Sequence, residues 1–155
     1  MGSFKGSETF ALDQKGRVNI PAKMKKSIPA GAEGVFVVTR GVDKCIAAYP
    51  KNIWENKYDP QLENLNQFNR EHTKLLRMML QYCEDVVLDS IQRIMLPKEL
   101  IEFAGIEGSV TLIGMHDHIE FWNPDIYKKY LESFDESYEE IAEKVMTGNI
   151  DLIKD

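Results

Sequence analysis

The run Leu12-Asp13-Gln14-Lys15-Gly16-Arg17-Val18-Asn19-Ile20-Pro21 returns 76 positions later as Leu88-Asp89-Ser90-Ile91-Gln92-Arg93-Ile94-Met95-Leu96-Pro97. The likeness continues at a slightly shorter offset. Gly34-Val35-Phe36-Val37-Val38 answers to Gly108-Ser109-Val110-Thr111-Leu112, and the stretch from Asp43 to Pro50 answers to that from Asp117 to Pro124. One unit has been duplicated, and each copy carries the same apolar positions to bury. With 155 residues to share, the copies are too small for separate cores and are expected to combine into one.

Each copy reads alike. A strand of alternating character leads into a turn, and a second short strand follows. Pro21 or Pro97 then opens a helix of about two turns, where the missing N–H is not needed. Two β-rich runs come next, Val35 to Thr39 and Cys45 to Tyr49 in the first copy, Val110 to Gly114 and His118 to Trp122 in the second. Tight connections make these hairpins. Pro50 and Pro124 each begin a further helical stretch. Between the copies, Asp59-Pro60 caps a long helix over 59–82, with Leu62, Leu65, Phe68, His72, Leu75, Leu76, Met79 and Leu80 at helical spacing. Past Phe134 the chain is acidic, with Tyr138, Ile141 and Val145 at the spacing of a marginal helix.

In Asp13-Gln14-Lys15-Gly16-Arg17 the glycine allows the positive φ of a sharp reversal, and the Asp13 carboxylate suits the turn's N–H groups or the Arg17 guanidinium. By itself such a segment is either an ordinary hairpin stiffened by an Asp–Arg pair or a reading head. In the second case Lys15 and Arg17 offer a point charge and a planar fork to phosphates and guanine edges. The second copy keeps Asp89 and Arg93 but has Gln92 where Gly16 stands, and a non-glycine accepts positive φ poorly.

A net charge of −6 runs against a nucleic-acid partner until the charges are placed. Residues 1–29 hold six basic side chains, Lys5, Lys15, Arg17, Lys23, Lys25 and Lys26, against two acids. Residues 132–155 hold eight acids against two lysines, and residues 83–103 hold five acids against two basic residues. The basic front points to a DNA partner and favours the first copy as the reader. No apolar run is long enough to span a membrane and none resembles a secretion signal, so the expected compartment is the cytoplasm, without membrane contact. Cys45 and Cys83 fit neither a disulfide framework nor a zinc knuckle and read as small hydrophobes.

The pair His116 and His118 has metal-like spacing, but no further ligand stands near and the site reads first as a polar hairpin turn. Phosphate-binding glycine loops, nucleophile elbows and zincin or deaminase signatures are all missing, which argues against an enzyme with a small-molecule substrate.

Taken together, the two Asp-x-x-x-Arg turns followed by Ile-Pro or Leu-Pro, Thr39-Arg40-Gly41, Tyr49-Pro50 near Trp54, and Glu120-Phe121-Trp122 resemble the MraZ family, regulators built from two SpoVT/AbrB-like units. The resemblance covers residues 4 to about 131. It implies a β-rich α+β fold in which two AbrB-like swapped-hairpin units form a double-split β-barrel, with a helix between the repeats and a helical tail. The expected boundaries are 4–58 and 83–131 for the units, 59–82 for the helix and 132–155 for the tail. It implies no cofactor, a homo-oligomer closed into a ring, and association with the nucleoid. Its partner would be double-stranded DNA carrying short direct repeats upstream of the division and cell-wall gene cluster. Carried onto this chain, the DNA-facing residues are Arg17, Lys25 and Lys26, with Lys15 and Lys23 nearby, while Asp13, Gly16, Asp89 and Arg93 shape the turns. The rival is an antitoxin-like module of the same fold whose acidic tail wraps a partner protein, although such proteins ordinarily carry one unit. In a further alternative the tail folds over the basic turns and inhibits them.

Overall fold

A computed structural model describes the backbone of residues 3–154 and the side chains as far as residue 147. It comprises two compact units, 1–124 and 125–155. The runs that carry the sequence repeat, up to Pro124, lie in the first, and the second begins inside the expected second unit of 83–131.

The first copy supplies β1 (Ser7–Ala11), β2 (Arg17–Asn19), α1 (Ala22–Lys25), β3 (Val35–Arg40) and β4 (Ile46–Pro50). The second supplies β5 (Glu84–Val87), β6 (Arg93–Met95), α5 (Lys98–Ala104), β7 (Ser109–Gly114) and β8 (Ile119–Trp122). Strands pair across the duplication rather than within it. An antiparallel six-stranded sheet runs β1-β7-β8-β4-β3-β5, and β2 pairs with β6 in a separate two-stranded ribbon. The opening strand of each copy therefore lies on the hairpin of the other. Ser7 to Ala11 align with Ile113 to Ser109, and Val35 to Val38 align with Val87 to Glu84. Val18 stands opposite Ile94 at the centre of the ribbon, which places the pseudo-two-fold axis there.

Period-two alternation explains the core. Phe36 and Val38, Ile46 and Ala48, Val110 and Leu112, and Ile119 and Phe121 project from one face of the sheet into a single cluster. Val18, Ile20, Ile94 and Leu96 from the ribbon strands, with Met24 of α1 and Leu100 and Ala104 of α5, close that cluster. Pro21 and Pro97 precede α1 and α5 and hold the extended φ and ψ of a helix entry.

The opposite face buries Val37, Thr39, Ala47 and Trp54. The expected single helix over 59–82 is instead two. Pro50 leads into α2 (Lys51–Ile53), a π-helical turn (Trp54–Tyr58) and α3 (Asp59–Glu63), and α4 (Arg70–Leu80) starts afresh. Asn69 causes the break, because its side chain accepts hydrogen bonds from the N–H groups of Glu71 and His72 and so begins a new helix. Phe68, expected on the apolar stripe, falls in the connection and is 99 % exposed. The Thr39 hydroxyl donates to the Met79 carbonyl and ties α4 to β3. Cys45 is buried and Cys83 half-buried, and burial raises both thiols, Cys83 to about 11, which keeps them as unreactive neutral groups.

In the second unit, α6 (Pro124–Glu132) is followed by α7 (Tyr138–Lys154). Ser137 and Glu140 open α7 with a reciprocal cap, Oγ accepting from the Glu140 N–H and Oε1 accepting from the Ser137 hydroxyl and N–H.

Ile94 is fully buried on the axis that both copies share. Ile94→Ala is expected to cost about 2–5 kcal/mol in denaturant unfolding. Val87→Ala, on an exposed side chain of edge strand β5, is expected to stay within about 0.5 kcal/mol.

Candidate nucleic-acid interface

Between β1 and β2 the chain reverses through a closed set of bonds. Asp13 and Arg17 pair through their backbones, and the Gly16 N–H donates to the Asp13 carbonyl at 3.0 Å. One carboxylate oxygen of Asp13 accepts from the N–H groups of Lys15 at 2.9 Å and Arg17 at 2.8 Å. The other accepts from Arg17 Nε at 2.7 Å. Those bonds, the Arg17 N–H first, hold the Asp13 carboxyl below its ordinary range despite partial burial, so it is ionised at neutral pH. The clasp uses the Nε edge of the guanidinium and leaves the far edge outside it, while Lys15 projects from the tip and is exposed. Gly16 has φ +82°, and a Cβ there would stand 3.1 Å from the Leu96 carbonyl oxygen and 3.2 Å from Ile101 Cδ1. Glycine is thus required both for the backbone and for the approach of the second copy.

The second copy builds the same clasp. Asp89 accepts from Ile91 N–H at 3.1 Å, Arg93 N–H at 2.8 Å and Arg93 Nε at 2.8 Å, and its carboxyl is lowered for the same first reason. Gln92 takes φ +61°, so the absence of glycine does not dissolve the turn. The surrounding bonds hold a backbone conformation that glutamine would otherwise avoid.

The two arginines are nevertheless unequal. Arg93 reaches a second carboxylate, with Nη1 3.7 Å from Asp13 Oδ2, and its side chain is 25 % exposed against 30 % for Arg17. Two acids face Arg93 and one faces Arg17, so the first-copy guanidinium keeps more of its positive potential for an outside anion.

The remaining basic residues do not gather at this turn. A Cβ on Gly6 would lie 3.8 Å from Lys23 Nζ, which puts that ammonium beside the start of β1. Six strand steps separate Gly6 from Leu12, or about 20 Å. Ser27 Oγ donates to the Ser3 carbonyl at 3.2 Å, so the chain just after Lys25 and Lys26 also lies at that end. Lys26 is exposed and Lys25 half-buried. The structure thus sorts the expected site into two basic patches, Lys15 with Arg17 at the turn and Lys23, Lys25 and Lys26 at the foot of α1. Asn19, which sequence reasoning passed over, is exposed on the ribbon beside the turn, and its place follows from strand alternation once β2 is known.

The His116 to His118 segment is a structural hub. Asp117 Oδ2 accepts from Lys57 Nζ at 2.8 Å and the Tyr58 hydroxyl at 2.7 Å, and Oδ1 pairs with His118 Nδ1 at 2.8 Å. Tyr49 stacks on His118 with centroids 4.6 Å apart. Burial alone would raise the Asp117 carboxyl, but the bonds from His118, Lys57 and Tyr58 prevail and lower it to about 2. Its oxygens are taken by these partners, and among the described residues no group of three or more His, Cys, Asp and Glu gathers as metal ligands. Nor, among those residues, is any helix long and apolar enough to cross a membrane.

Comparison with known proteins gives a consistent picture. The family model described as "MraZ protein, putative antitoxin-like" matches twice, over residues 3–78 and 79–149. The chain is 34 % identical over 146 residues to the transcriptional regulator MraZ of Cytophaga hutchinsonii, covering 94 % of this chain and 96 % of that protein. It is 35 % identical over 143 residues to the protein of that name from Syntrophomonas wolfei, covering 92 % and 96 %. With the one from Natranaerobius thermophilus it shares 33 % over 147 residues, covering 95 % and 99 %.

Two outcomes test the geometry. Gly16→Ala is expected to lose about 1–3 kcal/mol, since it meets both the positive φ and the Leu96 carbonyl. The depressed Asp117 carboxyl contributes stability above the unfolded value near 4, and this is lost as the pH falls through about 2. Over that window wild type is expected to lose more stability than Asp117→Asn, measured by chemical unfolding at each pH.

Proposed function

The chain belongs to the MraZ family of transcriptional regulators, and on that premise we propose that it acts by sequence-specific binding of double-stranded DNA. Its targets in this reading are short direct repeats upstream of the division and cell-wall gene cluster, met by a homo-oligomeric ring associated with the nucleoid. The exchange of opening strands between the copies suits a double-split barrel, in which the β2–β6 ribbon and its two turns form one exposed end.

One observation carries the proposal: the Asp13 clasp holds Arg17 by a single edge of its guanidinium and leaves Lys15 at the tip. A rigid turn with an available fork suits a guanine edge or a phosphate, because little conformational freedom remains to be lost on contact. The second patch lies about 20 Å away, which corresponds to roughly six base pairs at about 3.4 Å each. Lys23, Lys25 and Lys26 then follow the backbone and set position, while the turn meets the bases. Each contact is weak and salt-dependent, and a ring multiplies such contacts by presenting them to successive repeats at high effective concentration.

The first copy leads in this reading because Arg93 is shared between two carboxylates. The test is a mobility-shift titration on the DNA upstream of the protein's own gene, across a salt series. Arg17→Ala is expected to weaken binding about tenfold or more and to make the slope of log affinity against log salt shallower by about one if a phosphate contact is lost. Arg93→Ala is expected to weaken it less. Binding insensitive to both salt and Arg17→Ala would refute the proposal, and equal losses in the two variants would refute the leading role of the first copy.

A further inference from the structure

The β2–β6 ribbon has an inner and an outer face. Val18 and Ile94 point inward and are buried, which turns Arg17, Asn19, Arg93 and Met95 outward by strand alternation. The register sets Arg17 opposite Met95 and Asn19 opposite Arg93. Under the pseudo-two-fold axis Arg17 answers to Arg93, and Asn19 answers to Met95. The arginines conserve the symmetry of the ribbon and the other pair breaks it.

Both members of the unlike pair are available. Asn19 is exposed on the outer face of the ribbon. Met95 is 47 % exposed, a large share for an apolar side chain in a strand, and it lines one groove with Lys15 and Lys98 on one side of the charge balance and Glu84, Asp85 and Glu99 on the other. A two-stranded ribbon fits the major groove, where asparagine can bond both N6 and N7 of adenine and an apolar side chain can meet the thymine methyl.

Resting on the DNA-binding reading above, we propose that Asn19 and Met95 are base-reading residues. Asn19 selects adenine and Met95 selects a thymine methyl at the position related by the pseudo-two-fold axis. With Asn or Met at both places these outward positions would read the two half-sites alike, and only the turns, with Lys15 in one copy and Ile91 in the other, would tell them apart. The unlike pair gives each subunit's target a direction, which a tandem array of equally oriented sites requires and a two-fold operator does not.

Selection of the full-length protein on a randomised duplex library, with sequencing of the bound fraction, tests this. Wild type is expected to select a non-palindromic motif. Asn19→Ala should lose adenine preference at one position, on the order of tenfold, with the salt slope unchanged because no charge is removed. Met95→Asn should gain adenine preference at the related position and make the motif more nearly palindromic. Both side chains lie on the surface, and thermal unfolding checks that each variant remains folded. A wild-type motif kept intact by both variants would overturn the inference while leaving DNA binding in place. Failure of wild type to select any motif would overturn the DNA-binding reading and this inference with it.

Discussion

Val18 lies opposite Ile94 at the centre of a ribbon only three residues long on each side. A two-stranded ribbon of that length has no stability of its own and persists only when packed. Here it closes the core from one side while the six-stranded sheet closes it from the other, and the strands of both layers come from both copies. Neither copy can bury its apolar face without the other, since β1 needs β7 and β5 needs β3. Duplication in one chain makes that exchange intramolecular, so the second half is always present at high effective concentration.

The same axis that binds the copies together brings their turns close enough for Arg93 to reach Asp13. That contact makes the two turns electrostatically unequal. Once two equivalent sites share a chain, either can change without the other. The second copy has Gln92 at a left-handed position and more acidic neighbours, while the first has glycine and the less neutralised arginine. The clasp survives in both because it depends on an Asp and an Arg four residues apart and on backbone bonds, not on the residue at the tip.

Much of this was legible in the residues. Two aligned ten-residue runs, with Leu, Asp, Arg and Pro at the same places, revealed the duplication, Pro21 and Pro97 marked the helix entries, and the β-rich run Val35 to Thr39 identified a buried strand. Strand pairing was not legible from the residues, because a side-chain pattern fixes which faces are buried and says nothing of which partner lies alongside. The pairing of β1 with β7 and of β5 with β3 came from the structure. The helix over 59–82 misled because apolar spacing continues through Leu65 and Phe68, whereas Asn69 competes locally for the N–H groups of Glu71 and His72. Lys23 was close to Arg17 in sequence and is distant in space, since the chain doubles back after β2 and returns to the start of β1.

Net charge is a poor guide to a partner when the molecule is divided into units. Residues 1–124 carry fifteen basic and sixteen acidic side chains, and residues 125–155 carry four and nine, so almost the whole charge of −6 belongs to the second unit. Phosphate attraction decays over about a Debye length, near 8 Å at physiological salt, and the charges that matter are those beside the contact. For the proposed contact through the first-copy turn they are Lys15 and Arg17 against Asp13, and Asp13 is committed to the Arg17 N–H and Nε. A bound carboxylate of this kind does more than subtract charge. It fixes the direction of the guanidinium, and a fixed fork discriminates among bases where a mobile one would only attract phosphate.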